Sequence, residues 1–120
     1  AGQRLRVVND QWYTPTCTRD LVSATLQLLA TDAYGLYHIT SAGMCTWHTC
    51  ARMALARARI DVPVDAISSK ESRRLAHRPR HAVLLSSRLD RLGIPPLRSW
   101  QDAVSEYAEA AQNTITARAA

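Results

Sequence analysis

The chain has 120 residues, three cysteines and a formal net charge of +5. That length bounds it to one domain with a modest core, and its ordinary hydrophobic fraction excludes a disordered class. No apolar run is long enough to cross a bilayer, and an odd cysteine count argues against a secreted disulfide scaffold and for a reducing, cytoplasmic setting. The positive charge is almost all arginine, with Lys70 the only lysine, and it is scattered along the chain. Scattered arginines without a reader motif predict a solvated surface rather than a nucleic-acid partner.

In chain order, Leu5–Val8 reads as a short β-strand. A polar loop from Asn9 to Cys17 follows and holds Pro15. Thr18 is the expected N-cap of a helix from Arg19 to Ala30, with Leu21, Val22, Leu26, Leu28 and Leu29 on one broad apolar face and Asp20 in the first turn. Gly35 breaks that pattern. Leu36–Thr40 alternates like a second strand, and Ser41-Ala42-Gly43 is a turn. Thr46 caps a helix reaching about Arg59. Pro63 precedes a third strand, Val64–Ile67, and Ser69 is placed to cap a short helix reaching Leu75.

The basic loop Ala76–His81 comes next, and Ala82–Leu85 is apolar and extended or in transition. Ser86 or Ser87 starts helical turns through Leu92, and Gly93 is the expected C-cap. Pro95-Pro96 forbids helix. Ser99 caps the last helix with Asp102 in capping-box position, and Trp100, Ala103, Val104, Tyr107 and Ala111 form its buried stripe. The tail after Asn113 is expected to fray. Strands alternating with helices predict an α/β fold of about three short strands and four or five helices, with a sheet thin enough to be better completed by a neighbouring domain.

The loop Asn9–Thr16 gathers amide, carboxylate and hydroxyl groups beside Trp12 and Tyr13. Such groups can read the hydroxyls of a sugar while the rings cover an apolar face. They can equally satisfy the loop's own backbone. Cys45-x-x-His48-x-Cys50 has metal-like spacing, but on a helix Cys50 points away from the other two and no fourth ligand is near, so no metal is expected. Cys50 reads as a small core residue, His38 as a half-buried, hydrogen-bonded side chain, and Trp47 and Trp100 as core aromatics, Trp47 also as a pocket wall.

Val7-Val8-Asn9-Asp10-Gln11, Thr14-Pro15-Thr16 and Arg19-Asp20-Leu21 resemble the V-V-x-D-Q-x-G-x-P-T…D-L-A stretch of the dTDP-4-dehydrorhamnose reductase family. Gly35–Thr40 is similar to its G-I-Y-H-V-T segment. Gly43-x-Cys45-Thr46-Trp47 with Ala51-Arg52, and Arg78-Pro79 with Val83-Leu84, Leu89 and Leu92-Gly93, continue the likeness, as do Trp100 and the final helix. The resemblance implies the substrate-binding part of an extended short-chain dehydrogenase/reductase, closing over a nucleotide-sugar. The whole enzyme of that family reduces the 4-keto group of dTDP-4-dehydrorhamnose with NAD(P)H, towards dTDP-L-rhamnose.

The chain opens without Met, as if inside a domain, so the expectation is residues 1–113 as a substrate-binding fragment of a larger reductase and 114–120 as its frayed tail. The four glycines lie too far apart to form a dinucleotide loop, and Lys70 has Ala66 four positions before it, not the family's tyrosine. Hence the dinucleotide-binding core is expected to be missing. No catalytic residue, no cofactor site and no activity are expected of this chain alone. What the resemblance implies for ligand contacts falls on Arg78, which can hold a diphosphate bidentately, then on Gln11 and Thr14, with Trp47 lining the pocket. It departs from the family at Tyr13 (Gly there), Cys17, His48 and Cys50 (aromatics), and Ala82 and Leu85 (Ser and Asp). The implied partners are dTDP-4-dehydrorhamnose and either the missing N-terminal half or a second copy through self-association. The alternatives are a non-catalytic binding or regulatory module of the same superfamily and, behind it, a basic nucleic-acid-binding domain.

Overall fold

A computed structural model describes residues 4–119, leaving aside the side chains of residues 115, 118 and 119. In chain order the elements are β1 (Leu5–Val8), β2 (Trp12–Tyr13), α1 (Thr18–Leu29), β3 (Cys45–Thr46), α2 (Trp47–Arg57), β4 (Val64–Ile67), β5 (His81–Ala82), a 3-10 turn (Asp90–Leu92) and α3 (Trp100–Ala119). The α/β class is as expected. The described residues hold three α-helices rather than four or five, and five strands rather than three, because three two-residue strands form inside stretches read as loops or caps.

Two small sheets organise one flank. β1 and β4 run parallel, with Leu5 opposite Val64 and Val8 opposite Ile67. Backbone bonds extend this ladder at both ends, from Leu5 N–H to the Pro63 carbonyl (2.9 Å) and from Asn9 N–H to the Ile67 carbonyl (2.9 Å). The second sheet has the order β3-β2-β5, antiparallel between β2 and β3 and parallel between β2 and β5. α2 packs against α3 and against the β1–β4 pair.

The helix ends follow capping chemistry unevenly. The Thr46 hydroxyl accepts from Thr49 N–H at 3.2 Å, and the Ser99 hydroxyl accepts from Asp102 N–H at 3.1 Å while donating to the Asp102 carboxylate at 2.7 Å. α1 differs from expectation: Cys17, not Thr18, is its N-cap, and no side chain caps it. Its first turn is held instead by Arg98, whose Nε meets the Asp20 carboxylate at 2.7 Å while the same guanidinium also bonds Glu106 of α3. Arg98 thereby holds the Glu106 carboxyl below its ordinary range.

Several expectations are corrected by the backbone. Ser69–Leu75 is not a helix. One turn closes with Ser72 N–H on the Ser68 carbonyl at 3.1 Å, and Arg73 then takes φ 48°, a left-handed conformation that stops helical continuation. Ser86–Leu92 yields only the 3-10 turn, ended as expected by Gly93 at φ 67°. α3 stays helical through Ala119, past Asn113. Leu36–Thr40 belongs to no strand, because no neighbouring segment among the described residues offers it a ladder. Gly43 is required at the turn that follows: at φ 85°, a Cβ there would lie 3.1 Å from Trp100 Cδ1.

One core cluster joins Ala24 of α1 to Leu89, Ile94 and Leu97, with Leu28, Tyr37, Ile39 and Leu92 packed on it. The apolar face read for α1 is therefore only partly buried: Ala24 and Leu28 face the core, whereas Val22, Leu26 and Leu29 are 56%, 62% and 73% exposed. On α3, Trp100, Ala103 and Ala108 are buried, but Tyr107 is exposed although it lies on the expected stripe; it edges a cavity shared with Pro15–Thr18 instead of closing the core. His38 is exposed rather than half-buried, and Cys50 is partly rather than fully covered.

Candidate functional site

The loop leaving β1 acts first as a set of staples. Asn9 Oδ1 accepts from the Thr46 hydroxyl at 2.7 Å, tying the loop to the cap of α2. The Asp10 carboxylate accepts from the Ser69 hydroxyl at 2.6 Å and from Ser69 N–H at 2.9 Å. These bonds, the hydroxyl's first, hold the Asp10 carboxyl below its ordinary range. Gln11 Nε2 donates to the same hydroxyl at 2.8 Å, and Trp12 N–H reaches the Arg80 carbonyl at 2.7 Å. Residues remote in sequence thus fix Ser69, ahead of the basic loop, and Arg80, within it, beside β1 and β2.

The outcome is a cleft of about 330 Å³ whose lining includes Arg6, Val8, Gln11, Trp47, Arg74 and Arg78. It shares Gln11, Ser72, Arg74 and Arg78 with an adjoining cavity of about 490 Å³, which adds Lys70, His77 and Arg80 and also the carboxylate of Asp10. None of Arg6, Arg74, Arg78 and Arg80 takes part in an ion pair among the described residues; those pairs lie elsewhere, as between Arg19 and Glu106 or Arg4 and Asp65. Arg6 and Arg80 do have acidic neighbours: after their hydrogen bonds with Arg4 and Ser68, the Asp65 and Glu71 carboxyls are held down by Arg6, and that of Asp10, after Ser69, by Arg80. Arg74 and Arg78 carry the positive field suited to an anion. Val8 and Ile67 supply apolar floor, and Trp47 supplies an indole wall.

Of the four residues expected from sequence, the structure brings Gln11, Trp47 and Arg78 into this one cleft. Thr14 is not among its lining residues; its hydroxyl donates to the Gly43 carbonyl at 2.7 Å and holds the loop to the turn before β3. Trp47 is 41% exposed, so it is a pocket wall rather than a core aromatic. Its ring stacks on Tyr13 with centroids 3.9 Å apart and 16° between planes. Burial pushes the Tyr13 phenol up, so it stays neutral. Tyr13 has no positive φ, so this backbone does not need the family's glycine there.

Sequence reasoning missed Arg6 and Arg74. Arg6 sits on a strand whose register decides its face, and Arg74 follows the left-handed Arg73, which no periodicity reveals.

Two other concavities differ in character. One of about 240 Å³ lies between Pro15–Thr18 and Ala103, Val104 and Tyr107, and it is chiefly apolar. The other, about 540 Å³, runs between Thr40–Met44 and Val83–Ser87, also chiefly apolar. Neither assembles the charged side chains found in the cleft. The spacing argument for Cys45, His48 and Cys50 is superseded, since Cys45 lies in β3 rather than on the helix. Burial, with Cys50 beside it, pushes the Cys45 thiol up to about 12, which removes thiolate character at neutral pH.

Among the described residues the glycines do not form a glycine-rich phosphate loop. Gly35, Gly43 and Gly93 lie in three separate turns, and the connection from β1 to α1 has no glycine to let a pyrophosphate approach the backbone.

With that geometry in view, comparison with known proteins places the chain. The family described as RmlD substrate binding domain matches residues 1–113. The chain is 37% identical over 106 residues to a dTDP-4-keto-6-deoxy-D-glucose reductase of Streptomyces niveus, covering 83% of this chain and 35% of that one. It is 32% identical over 105 residues to the spore coat polysaccharide biosynthesis protein SpsK of Bacillus subtilis, covering 88% of this chain and 36% of that one. Among solved structures, a dTDP-4-dehydrorhamnose reductase of Clostridium acetobutylicum superposes with a TM-score of 0.86 at 33% identity, over 92% of this chain and 40% of that one. One from Bacillus anthracis, in complex with NADP, gives 0.83 at 29% identity, over 87% and 37%. The chain therefore spans little more than a third of the length of the curated relatives it matches, and it belongs to the RmlD substrate binding domain family.

Proposed function

We propose that this chain is the nucleotide-sugar-binding portion of a dTDP-4-dehydrorhamnose reductase, the complete enzyme reducing dTDP-4-dehydrorhamnose to dTDP-L-rhamnose with NAD(P)H. The observation that carries this reading is the convergence of Gln11, Trp47 and Arg78 with Arg6 and Arg74 on one cleft. A nucleotide-sugar is a diphosphate joining two ring systems. The guanidinium groups suit its phosphate oxygens, and bidentate geometry favours arginine over lysine there. The Trp47 indole suits an apolar ring face. Gln11, held by Ser69, presents an amide at the cleft floor. Thr14 serves in this reading as a loop anchor. Hydride delivery and protonation belong to the part of such an enzyme that holds the cofactor, so this chain positions substrate and does not transform it.

Isothermal titration of dTDP and dTDP-rhamnose into the chain tests this. Saturable binding is expected, with Arg78→Ala raising Kd roughly ten- to hundredfold, since hydrogen bonds to charged groups contribute about 1.5–3 kcal/mol. No binding, or binding indifferent to Arg78→Ala, contradicts it. NADPH oxidation by the purified chain alone would contradict the division of labour.

A further inference from the structure

Trp47 is the ring wall of the cleft, yet its place in the chain leaves the indole without support from its own helix. It is the first residue of α2, directly after the Thr46 cap. A helical side chain leans back over the turn that precedes its own Cα, and at the first helical position there is no such turn. The indole is also 41% exposed. An unsupported side chain of that size has to be ordered whenever a ligand arrives, which weakens binding.

Support comes from a different element. β2 lies between β3 and β5, and Tyr13 stands opposite Cys45, two residues before Trp47. Successive side chains leave a strand on opposite faces, so Tyr13 and Trp12 serve different sides of this small sheet. The Tyr13 ring lies nearly parallel to the indole, 16° between planes, with centroids 3.9 Å apart. At that separation it covers one face of Trp47.

Small side chains make room for the Tyr13 ring. Cys45 stands just before the Thr46 cap and Cys50 at the fourth helical position, the two places that pack together at a capped helix start. Burial first, then the Cys50 and Cys45 thiols beside it, push the Tyr13 phenol up, as expected of a ring lodged against both. A larger group at position 50 would compete for the same volume. Positions 13 and 50 are also two of those at which the chain departs from the family resemblance, which sets a glycine and an aromatic there.

We propose that Tyr13 is a positioning residue for nucleotide-sugar binding: stacked behind Trp47 and seated beside Cys50, it holds the indole ready to meet a ring of the ligand. Tyr13 is not among the residues lining the cleft, so it acts through Trp47. Its effect is therefore selective. The ring-bearing part of the ligand depends on it, and the diphosphate beside Arg74 and Arg78 does not. This role rests on the nucleotide-sugar reading and deepens it.

The test compares Tyr13→Ala and Tyr13→Phe with the unsubstituted 120-residue chain. Resonance titrations with dTDP-rhamnose and with inorganic pyrophosphate are read beside the heteronuclear relaxation of the Trp47 indole N–H. Tyr13→Ala is expected to mobilise the indole and to raise Kd for dTDP-rhamnose roughly three- to tenfold, the effect of having to order one large side chain, with Kd for pyrophosphate within about twofold. Tyr13→Phe keeps the ring and is expected to match the unsubstituted chain in each measurement. Tyr13→Leu, which fills the site without a flat face, is expected to behave as Tyr13→Ala and replaces it if that variant does not fold. An indole as ordered without the ring as with it, an equal loss for both ligands, or Tyr13→Phe failing like Tyr13→Ala overturns the proposal. An indole set free with dTDP-rhamnose binding unchanged overturns the positioning role alone. Absence of dTDP-rhamnose binding to the unsubstituted chain overturns the cleft reading and this role with it.

Discussion

The cleft flank and the α1 flank spend their polar groups in opposite ways. Around the cleft, Asn9, Asp10 and Gln11 each bond a residue remote in sequence, and Arg74 and Arg78 make no ion pair among the described residues. Around α1 and Leu36–Thr40, the free groups are backbone amides and aliphatic side chains. Free arginines at a braced concavity are suited to a soluble anionic ligand. Free amides beside an apolar stripe are suited to more protein. The difference separates a candidate ligand site from an exposed apolar surface within one small chain.

The comparison can be broken most forcefully at its shared core. Leu89→Ala is expected to destabilise the chain by about 3 kcal/mol, because Leu89 is fully buried beneath α1 and a cavity would remain. Urea unfolding measures this, and a loss below about 1 kcal/mol would show that the α1 flank is not anchored there. Arg74→Ala sharpens the other side. It should weaken dTDP binding by about 1.5–3 kcal/mol while leaving the unfolding midpoint in place, because Arg74 makes no ion pair among the described residues. Thr46→Ala removes both the α2 cap and the Asn9 staple and should cost about 1–2 kcal/mol of stability by thermal melting. Leu26→Ala should change the stability of the isolated chain by less than about 0.5 kcal/mol, in contrast to the neighbouring, core-facing Leu28.

The smallest effect is electrostatic. Hydrogen bonds from Ser69 hold the Asp10 carboxyl down, those from Ser68 hold Glu71 down, and Arg98 holds Glu106 down. Folded pKa values below the unfolded ones mean that these groups stabilise the fold above the unfolded values, about 3.9 for Asp and 4.3 for Glu, and cease to as pH falls through the folded ones. The urea midpoint should therefore decline as pH is lowered from about 5 towards 3, and less so in high salt. A midpoint that rises over that range would contradict the assignment.

How much of this was legible in the sequence follows from how local each signal is. β1, β4 and the Thr46 and Ser99 caps depend on neighbours a few residues away, and they stand where the sequence analysis placed them. β2, β3 and β5 have two residues each, too few for any periodicity, and they exist only because the staples bring three loops together. Leu36–Thr40 has the alternation of a strand and lacks only a partner, so the pattern was right and the ladder absent. The α1 face failed for the same reason: periodicity marks which residues are apolar, not which of two apolar faces the chain itself covers. In the cleft, Gln11, Trp47 and Arg78 came from ordered motifs, whereas Arg6 and Arg74 needed a register and a left-handed turn that are visible only in three dimensions.

The central claim, that the basic cleft receives the nucleotide-sugar, is tested most directly by titrating dTDP-rhamnose into the isotope-labelled chain and mapping resonance changes. The account predicts changes centred on Gln11, the Trp47 indole and Arg78, with residues of the apolar cavity at Pro15 and Tyr107 unmoved. Changes confined to that apolar cavity, or no changes at saturating ligand, would contradict it.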